Sequence, residues 1–220
     1  MLVNHRRSLV ASAGMLGGAV AIGVLFAVPA TRPWVQAVDD AAFAAVRDIR
    51  NAPATLVAEA LSVIGGAWVT WPLRGLIAVL LIARTRWLQL SAFALSVVTS
   101  EVAIGTIKGL YDRPRPPASL IETSAAAFPS GHAIAATVTA FWIVIALVPP
   151  TPRRWRWAAW AVAFAFVMAL SRVYLNAHWL SDVVAGALLG TGTAFGWPAL
   201  LMALTRDEDR ADPVSRAPPR

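Results

Sequence analysis

The chain has 220 residues, 58% of them hydrophobic and only 14% charged, with a mean hydropathy of +0.62. A soluble domain usually carries about 25% charged residues, so this composition argues against a water-soluble globule and for an integral membrane protein. The net charge of +7 lies in arginines at the ends of apolar runs, which speaks against nucleic-acid binding, and the lack of cysteine excludes disulfides, thiol nucleophiles and cysteine metal sites.

Residues 1–8 are polar and basic, and residues 9–28 form an apolar run long enough to span a bilayer. Gly14, Gly17, Gly18 and Gly23 suit close packing of this first span against another helix. Arg6-Arg7 and Val28-Pro29-Ala30 could also be read as a signal peptide, but the apolar run is long for one and favours a retained span. In residues 31–53, Val35, Val38, Ala42, Val46 and Ile49 recur at helical spacing among Asp39, Asp40, Arg47 and Asp48, which predicts an interfacial amphipathic helix that serves packing rather than chemistry. The apolar stretch 54–83 is too long for one ordinary span; Gly65-Gly66 divides it into an outer segment, 54–64, and a second span, 67–83. Further spans follow at 87–107, 131–148, 157–171 and 179–204.

The expected fold class is therefore all-α: a polytopic bundle of six transmembrane helices with a short amphipathic helix between the first two. Residues 1–204 form a single membrane-embedded domain, and the charged, proline-containing stretch 205–220 reads as a disordered cytoplasmic tail. Arg6/Arg7, Arg84/Arg86 and Arg153/Arg154/Arg156 fall on one side of such a bundle, and the positive-inside rule makes that side cytoplasmic. Both termini are then cytoplasmic in a multi-pass protein of the cell membrane, and the loops 109–130 and 172–178 lie outside.

Those two loops and the residues that flank them carry the scarce residue types. Lys108 is the single lysine, and His132 and His178 are the histidines outside the N-terminal tail. They fall in three clusters: Lys108-x6-Arg115-Pro116, Pro129-Ser130-Gly131-His132, and Ser171-Arg172-x5-His178-x3-Asp182. Two spans separate the second cluster from the third, so all three meet on one membrane face. Lys108, Arg115 and Arg172 match the electrostatic demand of a phosphoryl group. Ser130 can cap the following helix, whose free N–H groups would face an anion. His178 and Asp182 share a helical face, so the carboxylate can fix one ring nitrogen as N–H and leave the other to attack phosphorus, while His132 protonates the leaving oxygen. Water then hydrolyses the phosphohistidine, activated by His132.

The three clusters resemble, in order and spacing, the signature motifs of the type 2 phosphatidic acid phosphatase family, which shares its site with the vanadium haloperoxidases. The resemblance implies Lys108, Arg115, Ser130 and Arg172 as a phosphate cage with a backbone N–H from Gly131, His178 as nucleophile, His132 as acid and Asp182 as the group that orients His178. It implies no metal and no cofactor. Arg113 is a possible auxiliary, on phosphate or on loop structure. Asn176 stands where members often have glycine. The substrate class is a lipid phosphate or diphosphate, such as a polyprenyl diphosphate, phosphatidic acid or phosphatidylglycerol phosphate, its tail entering from the bilayer and the loop 117–128 serving as lid or headgroup filter. A lipid-linked phosphotransferase using the same site is the alternative, and a vanadium-dependent haloperoxidase is a further one. Oligomeric state leaves no mark in the sequence.

Two charges lie inside spans. At about 1.5 Å per residue, Arg74 and Glu101 both sit roughly 10 Å below the outer edge. An unpaired charge at that depth is costly, which predicts an Arg74–Glu101 ion pair, with Glu59 as the competing partner.

Overall fold

The computed structural model describes residues 5–123 and 126–211, with side chains to residue 205. Eight helices and no strand occur among the described residues: α1 His5–Ala27, α2 Arg32–Asp48, α3 Ala52–Ile64, α4 Ala67–Ala83, α5 Trp87–Tyr111, α6 Gly131–Leu147, α7 Arg154–Tyr174 and α8 Leu180–Ala211.

Local chemistry sets the breaks. The Asn51 side chain accepts from the Ala54 N–H at 2.9 Å and caps α3, with Pro53 in the first turn. Gly65-Gly66 separates α3 from α4, and the two axes bend by 49°. Asp112 stops α5 in the left-handed region at φ 37°, which aspartate tolerates better than most residues. Ser130 caps α6 through the Ala133 N–H.

Four helical stretches are long and apolar enough to cross a membrane: α1, α5, α7 and residues Leu180–Thr205 of α8. The bent pair α3–α4 makes a fifth, whereas α6, at 17 residues, is a shorter apolar helix. The six spans expected from hydropathy are thus not all matched by length: α6 falls short, because 17 residues rise only about 25 Å against a hydrocarbon core of about 30 Å. Three arginines attend the short end of α6. Arg84 Nη1 and Arg86 Nη1 donate to the Ala146 carbonyl at 3.1 and 3.3 Å, and Arg154 Nη2 donates to Val144 and Ile145 at 3.1 Å each. They donate to carbonyls of the last turn, of which Val144 also accepts the Val148 N–H at 3.1 Å, and lie at the negative pole of the helix dipole. Helix α8 continues to Ala211, into the stretch expected as a tail, and the remainder of that tail, 212–220, lies outside the described residues.

Helix α6 is the most enclosed element, with Trp142, Ile134 and Val138 fully buried and the Trp142 ring edge-on to Phe93 at 5.2 Å. It packs between α7 and α8, and α1 lies along α8. Contact of α6 with α8 runs through glycine: a Cβ on Gly186 would stand 2.8 Å from the Ser130 carbonyl oxygen, and one on Gly190 2.9 Å from that of Ile134. Since lipid is as apolar as leucine, such close backbone approach, rather than water exclusion, holds transmembrane helices together. Of the α1 glycines expected to pack, Gly18 meets Leu188 and Gly23 meets Tyr111, but Gly14 and Gly17 meet nothing.

The ion pair expected inside the bundle is present. Arg74 Nη1 lies 2.6 Å from Glu101 Oε1, and Arg74 Nε donates to Thr139 Oγ1 at 3.2 Å.

Candidate active site

One end of the bundle gathers the three clusters. Lys108, in the last turn of α5, donates its ammonium to the Ala126 carbonyl. Arg115 Nη1 donates to the Ala177 carbonyl at 2.5 Å and stands 3.2 Å from His178 Nε2. Arg172 is not in a loop, as expected from hydropathy, but near the end of α7, which runs on to Tyr174; its Nη1 donates to Ser62 Oγ at 2.6 Å. Ser130 is fully buried, and its N–H donates to the Asp182 carbonyl at 3.1 Å, which ties the start of α6 to the start of α8. Lys108 is within Coulombic reach of Arg115 and Asp182, and His132 within reach of Arg115, Arg172 and His178.

The histidines differ in what faces them. Arginine can only donate, so the His178 Nε2 beside Arg115 holds its lone pair there and the ring proton sits on Nδ1. Nδ1 points to Asp182 Oδ2 at 3.6 Å, close but beyond hydrogen-bond length. Burial, aided by Arg115 and Arg172 and opposed by Asp182, pushes the His178 pKa down to about 4. The ring is therefore neutral at pH 7, as a nucleophile must be. His132 Nε2 lies 3.1 Å from the Ser62 carbonyl, an acceptor, so that nitrogen carries hydrogen and Nδ1 is the one open to proton exchange.

Asp182 belongs to the first turn of α8, and its Oδ2 accepts the Trp179 N–H at 2.9 Å, the reach-back of a capping box. Its Oδ1 is held by Arg113 Nη1 at 2.6 Å. Arg113, 2% exposed, spends its other end on Asp39 Oδ2 at 2.6 Å. Both ends of the guanidinium thus serve carboxylates.

The loops are pinned beside the site. Asn176 has φ 54°, in the region glycine also favours, and its side-chain amide donates to the carbonyls of Pro117 and Ala118 at 3.2 and 3.1 Å. Arg50 Nη2 donates to Asn176 Oδ1 at 2.9 Å, and the Leu120 N–H donates to the Leu175 carbonyl at 2.9 Å. Within the expected lid 117–128, residues 124 and 125 lie outside the described residues. Ser62 and Asp39 were not singled out from the sequence. Ser62 sits in an apolar run that signals only a helix, and its contacts to Arg172 and His132 arise from the fold. Asp39 carried a signal, as an acid in an amphipathic helix, but nothing told it from Asp40 or Asp48.

Three cations thus converge where the nearest carboxylate, Asp182, is already shared with Arg113. Burial presses the Arg115 guanidinium below its ordinary pKa, with Asp182 opposing. The arrangement favours an anionic ligand beside an imidazole lone pair.

Comparison with known proteins agrees with this chemistry. The PAP2 superfamily model matches residues 89–206. An undecaprenyl-diphosphatase of Sulfolobus acidocaldarius is 30% identical over 145 residues, which cover 61% of this chain and 65% of that protein, just under two thirds of its length. A decaprenylphosphoryl-5-phosphoribose phosphatase of Mycobacterium tuberculosis is 33% identical over 138 residues, covering 60% of this chain and 72% of the relative. Among solved structures, a transmembrane PAP2-type phosphatidylglycerolphosphate phosphatase from Bacillus subtilis superposes with a TM-score of 0.68 at 24% identity over 89% of this chain and 96% of that one, a likeness of fold.

Proposed function

The chain belongs to the PAP2 superfamily, and from that premise we propose that it is an integral membrane phosphatase. It releases phosphate from a lipid phosphate or diphosphate through a phosphohistidine on His178, without a metal ion. The observation that carries this reading is the His178 ring: Nε2 faces Arg115 at 3.2 Å while Nδ1 faces Asp182 at 3.6 Å.

The Nε2 lone pair attacks phosphorus, the bond from phosphorus to the leaving lipid oxygen breaks, and His132 gives that oxygen a proton. Water then attacks the phosphohistidine, His132 takes its proton, the P–N bond breaks and phosphate leaves. Lys108, Arg115, Arg172, Ser130 and the Gly131 N–H hold the non-bridging oxygens, where charge must be stabilised. Asp182 fixes the His178 tautomer.

Residues 1–204 act as one membrane domain that crosses six times, counting α3–α4 as one bent crossing and α6 as a short one. The arginines around the end of α6 support this, since they bring polar groups in to a helix too short to reach the interface unaided. The site then opens outward, and both termini are cytoplasmic. An apolar cavity of about 250 Å³ lies among α4, α6 and α7, lined by Ile64, Leu73, Ile143, Trp160 and Phe164 and reaching Gly65. A Cβ on Gly65 would come within 3.0 Å of His132 Cδ2, so the cavity adjoins the reacting end and suits a lipid chain entering from the bilayer. The two relatives described above are named for polyprenyl-linked phosphates, which makes a polyprenyl diphosphate the first substrate to try. Phosphatidic acid and phosphatidylglycerol phosphate complete the panel.

The test is phosphate release from that panel in detergent with EDTA and no acceptor alcohol. Turnover is expected to survive chelation and to fall by about 10⁴-fold or more in His178→Ala. Unchanged turnover in that variant overturns the reading, and release that appears only with an acceptor alcohol converts it to a transferase.

A further inference from the structure

Helix α2 lies at the edge of the bundle, and a single residue of it, Asp39, is buried, at 1% exposure. Its charged neighbours Asp40, Arg47 and Asp48 are exposed. A buried carboxylate costs several kcal/mol unless its oxygens are fully engaged. Those of Asp39 are engaged, by Ser181 at the amino end of α8 and by Arg113 in the loop after α5. Oδ1 accepts the Ser181 N–H at 2.8 Å, and Oδ2 accepts the Ser181 hydroxyl at 2.7 Å and Arg113 Nη2 at 2.6 Å. The Nη1 of the same guanidinium reaches Ser181 Oγ at 2.7 Å and Asp182 Oδ1 at 2.6 Å. Phe26 and Trp179 present ring faces to it, with centroids 4.1 and 5.6 Å from its Cζ.

One guanidinium between two carboxylates leaves a net charge of −1. Had Arg113 only Asp182 for a partner, the pair would be neutral and the carboxylate would offer little field to its other neighbour, His178 Nδ1. The second carboxylate restores that field while Arg113 keeps Asp182 from turning away. We propose that Asp39, acting through Arg113 and Ser181, is a positioning residue for Asp182: it fixes the carboxylate against His178 and leaves the cluster of two carboxylates and one guanidinium net negative. The proposal rests on the phosphohistidine reading for the role of His178, and it makes the amphipathic helix part of the catalytic apparatus.

Two substitutions separate this role from mere packing, because their electrostatic effects on His178 have opposite signs. Asp39→Asn removes a negative charge and lowers the His178 pKa; Arg113→Gln removes a positive one and raises it. The groups around His178 that stay constant are Arg115 after α5, Arg172 on α7, His132 on α6 and Asp182 on α8. The chain has three histidines, so ring signals of histidine-labelled full-length protein in micelles can be assigned by single substitution and followed with pH, with no substrate needed. With phosphatidic acid or a polyprenyl diphosphate in mixed micelles, whichever the parent protein turns over, Asp39→Asn is expected to lower kcat about tenfold with KM within about twofold.

The proposal is overturned if folded Asp39→Asn retains full kcat, or if the two variants move the His178 titration the same way or not at all. Should Asp39→Asn fail to fold, Ser181→Ala removes the bridging hydroxyl without changing charge. It is expected to lower kcat several-fold while leaving the titration in place, and full kcat there is equally fatal. The phosphohistidine reading fails separately, through an active His178→Ala.

Discussion

The two ends of α6 are both surrounded by arginine, and the two sets do different work. At the carboxyl end, Arg84, Arg86 and Arg154 donate to terminal carbonyls, where the helix dipole welcomes a cation. At the amino end, Arg115 and Arg172 lie within reach of His132, where the dipole repels a cation. Cations accumulate at the positive pole of a helix when an anion is meant to sit between them. The lesson is that arginines which look alike in composition serve helix carbonyls at one end and the proposed phosphate cage at the other, and the partner atoms tell which.

The sharpest way to break this comparison is to remove one arginine from each end. Arg172→Met is expected to lower kcat/KM by about 10²–10³-fold, the usual loss of a donor to developing charge. Arg154→Met should change kcat/KM by less than about twofold and lower stability by about 0.3–1 kcal/mol, read from thermal unfolding in micelles. Equal losses of activity at both ends would erase the distinction.

Titration sharpens it further. His178 is held at about 4, against an ordinary 6.5, mainly by burial with Arg115 and Arg172 assisting. On the proposed mechanism the nucleophile is the neutral ring, so the acid limb of kcat/KM is expected near pH 4, with about tenfold lost per unit below it. The substrate's own ionisation near pH 6 must first be divided out. A limb near 6.5 would mean that neither burial nor the neighbouring arginines act on the ring. The same shift makes folding pH-dependent in a definite sense: the folded pKa is depressed, so the stability present above pH 6.5 is lost as pH falls towards 4, where the unfolded chain takes up a proton the folded chain refuses.

The smallest expected effects come from Arg74 and Glu101, charges that lie outside both sets. Glu101→Gln should cost about 1–3 kcal/mol of stability by weakening the 2.6 Å pair, with kcat changed by less than about twofold. A large loss of kcat with normal folding would instead tie this pair to the site.

What the sequence could reveal follows from the range of each interaction. The Arg74–Glu101 pair was legible because helical rise fixes depth, and charges at equal depth must meet. The three clusters were legible because spacing and span parity bring them to one face. The count of crossings was less so: α6 is short and α3–α4 bends, and hydropathy shows neither. Arg172 was expected in a loop because a charged residue ends an apolar run, yet the helix continues two residues beyond it. Ser62 and Asp39 could not be found at all. Their partners are 110 and 74 residues away along the chain, and no periodicity encodes which acid of an amphipathic helix turns inward.

The glycine contacts between α6 and α8 have a further consequence. Because Gly186 and Gly190 bring one backbone against another, the separation of Ser130 from Asp182 is set by main-chain atoms, which vary little, and not by side chains, which vary freely. The two helices behave as the fixed jaw of a vice. On the proposed function, adaptation to lipids of different girth then falls to the jaw made by α3, α4 and α7, whose surfaces can be recut without disturbing the distance from Ser130 to Asp182.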